Sequence, residues 1–115
     1  MKEQGIQFGE KELFTAIRAI VIANSKDSEW FILSEGHAGE KIASIARSSF
    51  KGDGITVTFC SHEICIKLRI KARPGLTDLI SKAKIFQEII YQDIYHLTGV
   101  KTGRIDVTIT GVDFR

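Results

Sequence analysis

Proline occurs once in this chain, at Pro74, and cysteine only twice, at Cys60 and Cys65. One proline in 115 residues argues against a linker-rich or disordered polypeptide, since such chains are proline-enriched and poor in apolar residues. Here 43% of residues are hydrophobic and 26% are charged, which is ordinary globular usage. Two cysteines cannot build the disulfide framework of a small secreted domain. Met1-Lys2-Glu3-Gln4-Gly5 leads into no apolar stretch of the kind a secretion leader carries, so the expected setting is reducing and cytoplasmic. Long apolar runs are missing too. Ala19-Ile20-Val21-Ile22-Ala23 is far short of the roughly 20 residues that cross a bilayer. Neither sign of charge dominates, at a net +2, so the totals alone do not point to a polyanion partner.

Signatures of chemistry are equally sparse. No P-loop, dinucleotide fingerprint or zincin string is present. His37, His62 and His96 are scattered, and none stands in a recognisable Ser-His-Asp or Cys-His string. The expectation is a chain that is not an enzyme, with no catalytic residues, no cofactor, no metal and no legible small-molecule substrate.

What remains is a clear pattern of elements. Gly5 to Phe8 reads as a short strand. Gly9 can cap a helix whose first turn holds Glu10 and Glu12, where the helix dipole favours acids. Leu13, Phe14, Ile17, Ile20 and Val21 follow at helical spacing, and Asn24-Ser25-Lys26-Asp27-Ser28 supplies turn formers to end it. Trp30 to Leu33 is apolar and extended, and a short helix is expected from about Ala38 to Ser48. Lys51-Gly52-Asp53-Gly54 is a turn. Ile55, Val57 and Phe59 alternate with Thr56, Thr58 and Cys60. Ile64, Ile66, Leu68 and Ile70 alternate with Cys65, Lys67, Arg69 and Lys71. Two period-two runs around Ser61-His62-Glu63 predict a hairpin with one buried face. With His62 and Glu63 as the turn, Phe59 faces Ile66, Val57 faces Leu68, Ile55 faces Ile70, and Cys60 faces Cys65.

After Arg73-Pro74-Gly75, a helix is expected from about Thr77 to Leu97. Its stripe is Leu79, Ala83, Phe86, Ile90, Ile94 and Leu97, widened by Ile80 and Ile89 to cover a sheet. Thr98-Gly99 is its stop, and Ile105, Val107, Ile109 and Val112 mark a last strand. The predicted architecture is one α+β domain over residues 1–115, ordered β-α-(β)-α-β-β-α-β, with a mostly antiparallel sheet and helices packed on one face.

Several of these strings resemble the alkaline-shock (general-stress) envelope-stress family of Gram-positive bacteria. Gly5-Ile6-Gln7-Phe8 and the following helix resemble that family's opening. Lys51-Gly52-Asp53-Gly54-Ile55-Thr56-Val57 through Ile66-Lys67-Leu68-Arg69-Ile70 is similar to its central hairpin. The helix with Phe86-Gln87 ending in Leu97-Thr98-Gly99-Val100, and the strand Ile105 to Val112 closing in Gly111-Val112, look like its last two elements. The likeness spans about residues 5–114 and involves no catalytic signature. It implies a cytosolic, non-enzymatic protein tied to cell-envelope stress, which self-associates and meets protein partners, some of them membrane anchors. The stretch from Ser28 to Phe50, which carries Trp30, and the basic hairpin face depart from the family pattern.

Two surfaces are candidates for interaction. Lys67, Arg69 and Lys71 share one face of the second hairpin strand, with Arg73 just beyond. Such a face can meet phosphates of nucleic acid or anionic lipid, or stay solvated to discourage edge association. Threonines rather than stacking rings lie across from it, which favours a solvated or protein-binding face. Trp30 and Phe31 can anchor a partner or fill the core. Gly36-His37-Ala38-Gly39 has the Gly-x-x-Gly spacing of a nucleic-acid clamp, but Glu35 precedes it and no basic residue lies within it, so a turn before a helix is the plainer reading. Cys60, His62 and Cys65 are metal-type ligands without a fourth partner; two free thiols are the plainer reading there. The function expected is an envelope-stress interaction protein acting through self-association. The alternative is a small nucleic-acid-binding module using the basic hairpin face.

Overall fold

The structure is a computed structural model, and it describes residues 9–34, 48–60 and 63–114. Helix α1 spans Glu10–Asp27. Gly9 is its N-cap, Glu10 and Glu12 occupy its first turn, and Leu13, Ile17 and Val21 form its buried stripe. The helix ends within the expected run Asn24 to Ser28, at Asp27 with Ser28 as its C-cap, and the first polar residues of that run are used within the helix. Asn24 Nδ2 donates to the Ile20 carbonyl at 2.9 Å and to Asp93 Oδ2 at 3.0 Å. Ser25 is buried, and its carbonyl accepts the Ser28 N–H at 3.2 Å to close the helix. Ser28 Oγ then accepts the N–H groups of Trp30 and Phe31, turning the chain into strand β1, Phe31–Leu33.

Strand β2 covers Ser48–Gly52 and was not foreseen. The helix expected from Ala38 to Ser48 lies outside the described residues except for Ser48, which opens this strand. No alternation betrays β2, since Phe50 is its lone large apolar residue. That ring is stacked on Phe14 at 5.6 Å and edge-on to Phe59 at 5.7 Å, so tertiary contacts hold the strand. Asp53 and Gly54 join β2 to β3 (Ile55–Phe59) with φ of 55° and 79°. Two positive φ values define the type I′ turn, whose twist matches that of the flanking strands. The Arg18 guanidinium pairs with the Asp53 carboxylate and ties this turn to α1, with Nε at 2.6 Å from Oδ2.

Strand β4, Ile64–Ala72, is the centre of the sheet. Its pairing with β3 sets Phe59 against Ile64, Val57 against Ile66 and Ile55 against Leu68. This corrects the expected register by two residues. Cys60 stands opposite Glu63, its N–H donating to the Glu63 carbonyl at 2.9 Å, so the connection is centred one residue earlier than expected. A shift of two keeps every side chain on its expected face, whereas a shift of one would have inverted them all. Val57, Ile66, Leu68 and Ile70 are accordingly buried, Phe59 is half-buried, and Lys67, Arg69 and Lys71 are exposed.

Helix α2 runs from Leu79 to Thr98 and ends on Gly99, whose φ of 77° is left-handed. It carries the chain to β5, Arg104–Val112, which lies parallel to β4. β5 pairs with β4 from Cys65 to Ala72 and occupies one edge. The other edge is shared by β3, opposite residues 64–68, and β1, opposite residues 70–72. A strand has only two edges, so β1 and β3 lie end to end along β4. The result is an α+β fold with a mostly antiparallel five-stranded sheet. Both helices cover one face, where Ile17, Val21, Phe86, Ile90 and Ile94 join Phe31, Ile55, Val57, Ile66, Leu68 and Ile70 in one core. The α2 stripe is narrower than expected. Ile80 and Leu97 are 71% exposed and Ile89 is 43% exposed, because α1 covers part of the sheet and Phe86, Ile90 and Ile94 suffice for α2's share.

Candidate interaction surfaces

The sheet face away from the helices is read in rows from the pairing register. One row runs Lys51, Thr56, Lys67, Asp106; the next runs Ser49, Thr58, Cys65, Arg104. On the other side Arg69 stands beside Thr108, and Lys71 lies between Ile32 and Gly111. Lys67, Arg69 and Lys71 therefore form a line along the central strand. Alternate strand residues are about 6.6 Å apart. None of the three makes an ion pair among the described residues. The carboxylate opposite Lys67 in the same row, Asp106, is held by Arg104 at 3.3 Å. Arg73 is separate from this line. Its Nε donates to the Ser28 carbonyl at 3.3 Å and its N–H to the Trp30 carbonyl at 2.8 Å, so it braces the α1–β1 turn.

Cys60 and Cys65 occupy one corner of this face. The observed register corrects their expected direct opposition: Cys65 pairs with Thr58, which leaves Cys60 on the diagonal. They are not joined by a disulfide. Cys65 Sγ lies 3.7 Å from Glu63 Oε2. Burial first, then the Glu63 carboxylate and Cys60, push the Cys65 thiol above the ordinary cysteine range, the opposite of what activates a nucleophile. No group of three or more metal-type ligands is found among the described residues; His62 lies outside them, as do Gly36, His37 and Gly39.

The second surface lies where α1, the turn into β1 and α2 meet. A cleft of about 330 Å³ is lined by Asn24, Asp27, Glu29, Trp30, Phe86 and Ile89, small for a ligand pocket. Phe31 is fully buried and packs on Phe86 at 5.5 Å, so it belongs to the core and offers no surface. Trp30 is half-buried, edge-on to Phe31, with the Lys82 ammonium 5.8 Å from its ring centre. Ile85 and Ile89, one turn apart on α2, are 48% and 43% exposed and extend the apolar surface outward from the cleft. The sequence reading missed Ile85 and assigned Ile89 to the core. The signal was a fourth apolar row on α2, more than one helix–sheet seam can bury.

No family profile, curated protein or solved structure matches this chain. No helix among the described residues is long and apolar enough to cross a membrane.

Proposed function

We propose that this domain is a non-enzymatic interaction protein that works by self-association and by docking to protein partners. In this reading it serves the cytoplasmic side of an envelope-stress response, as its resemblance to the alkaline-shock family implies, and a membrane anchor is one such partner. The observation that carries it is the apolar ridge of Ile85 and Ile89 beside Trp30. Two exposed isoleucines one helical turn apart, next to a half-buried tryptophan, make a compact apolar patch of the kind found at the centre of protein interfaces.

Sedimentation over a wide concentration range tests this reading, together with cross-linked pull-downs from separated membrane and soluble fractions. Concentration-dependent assembly, lost in an Ile85→Asp, Ile89→Asp double variant, is the expected result. A strictly monomeric protein that captures no partner through this ridge would overturn it.

A further inference from the structure

The cationic line on the opposite face has no place in that reading. We propose that Lys67, Arg69 and Lys71 form a track for the phosphate backbone of single-stranded nucleic acid, bound without regard to sequence. Three features of the face support this. All three cations are exposed, project from the central strand, and pair with no carboxylate among the described residues. Their neighbours on the same face, Thr56, Thr58 and Thr108, supply hydroxyls, which donate readily to phosphate oxygens. The chain as a whole carries only +2, so three unpaired cations in a row make this face more positive than the protein as a whole.

The shape of the charge selects the partner. A bilayer presents a plane of headgroups and rewards apolar side chains inserted among them. Here the charge is a line flanked by Thr56, Thr108, the Arg104-held Asp106 and, beside Lys71, Ile32, and the most exposed apolar residues of the helices, Ile80 and Leu97, belong to α2 on the other side of the sheet. Duplex grooves admit a helix or a two-stranded ribbon, whereas these cations sit in the middle of a broad sheet. A flexible single strand can lie along them. The rows around this line contain no aromatic ring to stack on bases, so phosphate contacts alone carry the binding, which makes it weaker than that of a stacking platform, indifferent to sequence and strongly salt-dependent.

The test is fluorescence anisotropy with a labelled oligouridylate about a dozen nucleotides long, using the full chain. Three phosphate contacts on a single strand give a log–log salt slope of about −2, so raising salt from about 50 to 200 mM should weaken binding roughly 15- to 20-fold. Lys67→Glu with Arg69→Glu should weaken binding at least about tenfold at the lower salt. Lys67→Gln with Arg69→Gln, which adds no repulsion toward Asp106, should weaken it by a smaller factor; thermal melting of both variants checks that the fold is retained. No binding at low salt, binding that neither folded variant reduces, or tighter binding to phosphatidylserine vesicles than to RNA would overturn the proposal. The Ile85→Asp, Ile89→Asp variant should bind the oligonucleotide as the parent does, so this inference and the self-association reading fail separately.

Discussion

Gly54 stands against Ser34 where two strands meet end to end. A Cβ on Gly54 would collide with the Ser34 carbonyl oxygen and lie 3.0 Å from the Arg69 carbonyl oxygen. The Arg69 peptide joins both neighbours: its N–H donates to the Gly54 carbonyl at 2.9 Å, and its carbonyl accepts the Ser34 N–H at 2.8 Å. Residue 69 of β4 is thus the point where β3 hands over to β1, and only a residue without a side chain fits there.

Gly54→Ala should therefore cost more than backbone conformation alone. Gly75 is the control, because its φ of 84° is also left-handed but nothing lies within 4 Å of an added Cβ. Urea denaturation should give a loss of about 1 kcal/mol for Gly75→Ala. For Gly54→Ala the loss should be about 3 kcal/mol or more, because backbone atoms cannot step aside. Equal losses at the two sites would remove the junction argument.

Leu68→Ala should cost about 3–5 kcal/mol, since Leu68 is fully buried in the core. Phe59→Ala should cost less than a full core truncation, because Phe59 is half-buried and its ring contact is the edge of Phe50. Lys67→Ala, on the opposite face, should stay within about 0.5 kcal/mol. Chemical denaturation of the three variants should rank them in that order.

Much of this fold was legible in the sequence, and the failures have physical causes. Period-two alternation placed Lys67, Arg69 and Lys71 outside and Ile66, Leu68 and Ile70 inside. It could not fix the register, because a shift of two residues preserves every face. β2 was illegible because Phe50 is its only strong apolar residue, and its pairing depends on rings supplied by Phe14 and Phe59. On α2 the helical period was right and both helices were expected on one face, but sequence could not say how they would divide it and leave Ile80, Ile85 and Ile89 outside. Of the candidate site, the cationic line was visible from spacing alone. The cleft beside Trp30 was not, since it depends on how two helices and a turn meet.

The raised pKa of Cys65 predicts slow alkylation. Burial is the first cause, followed by the Glu63 carboxylate and Cys60. Each disfavours the thiolate, so less of it is present at a given pH and iodoacetamide should react more slowly with the native protein than with the chain in urea. Glu63→Gln removes one cause and should move the midpoint of the rate–pH curve downward without restoring the unfolded value. By linkage, a folded-state pKa above the unfolded one gives stability that is full below the unfolded pKa and lost as pH rises through the folded pKa. An alkylation midpoint unchanged by both urea and Glu63→Gln would contradict this assignment.

Self-association makes the final prediction, and its difficulty is separating interface from core. Trp30→Ala should weaken assembly by about 2 kcal/mol or more if the ring is an anchor. It also removes the edge contact with Phe31 and the ring beneath Lys82, so part of any loss would reflect a weakened fold. Ile85 and Ile89 avoid that ambiguity, because both are substantially exposed and neither belongs to the buried core. Ile85→Asp with Ile89→Asp should leave the unfolding free energy within about 1 kcal/mol of the parent. A carboxylate forced into an apolar interface loses its hydration without gaining a partner, so the same pair should shift the protein toward monomer in sedimentation equilibrium. Assembly that survives the aspartates but not Trp30→Ala would move the interface to the α1–β1 turn. Assembly that survives all three would remove this ridge as its basis.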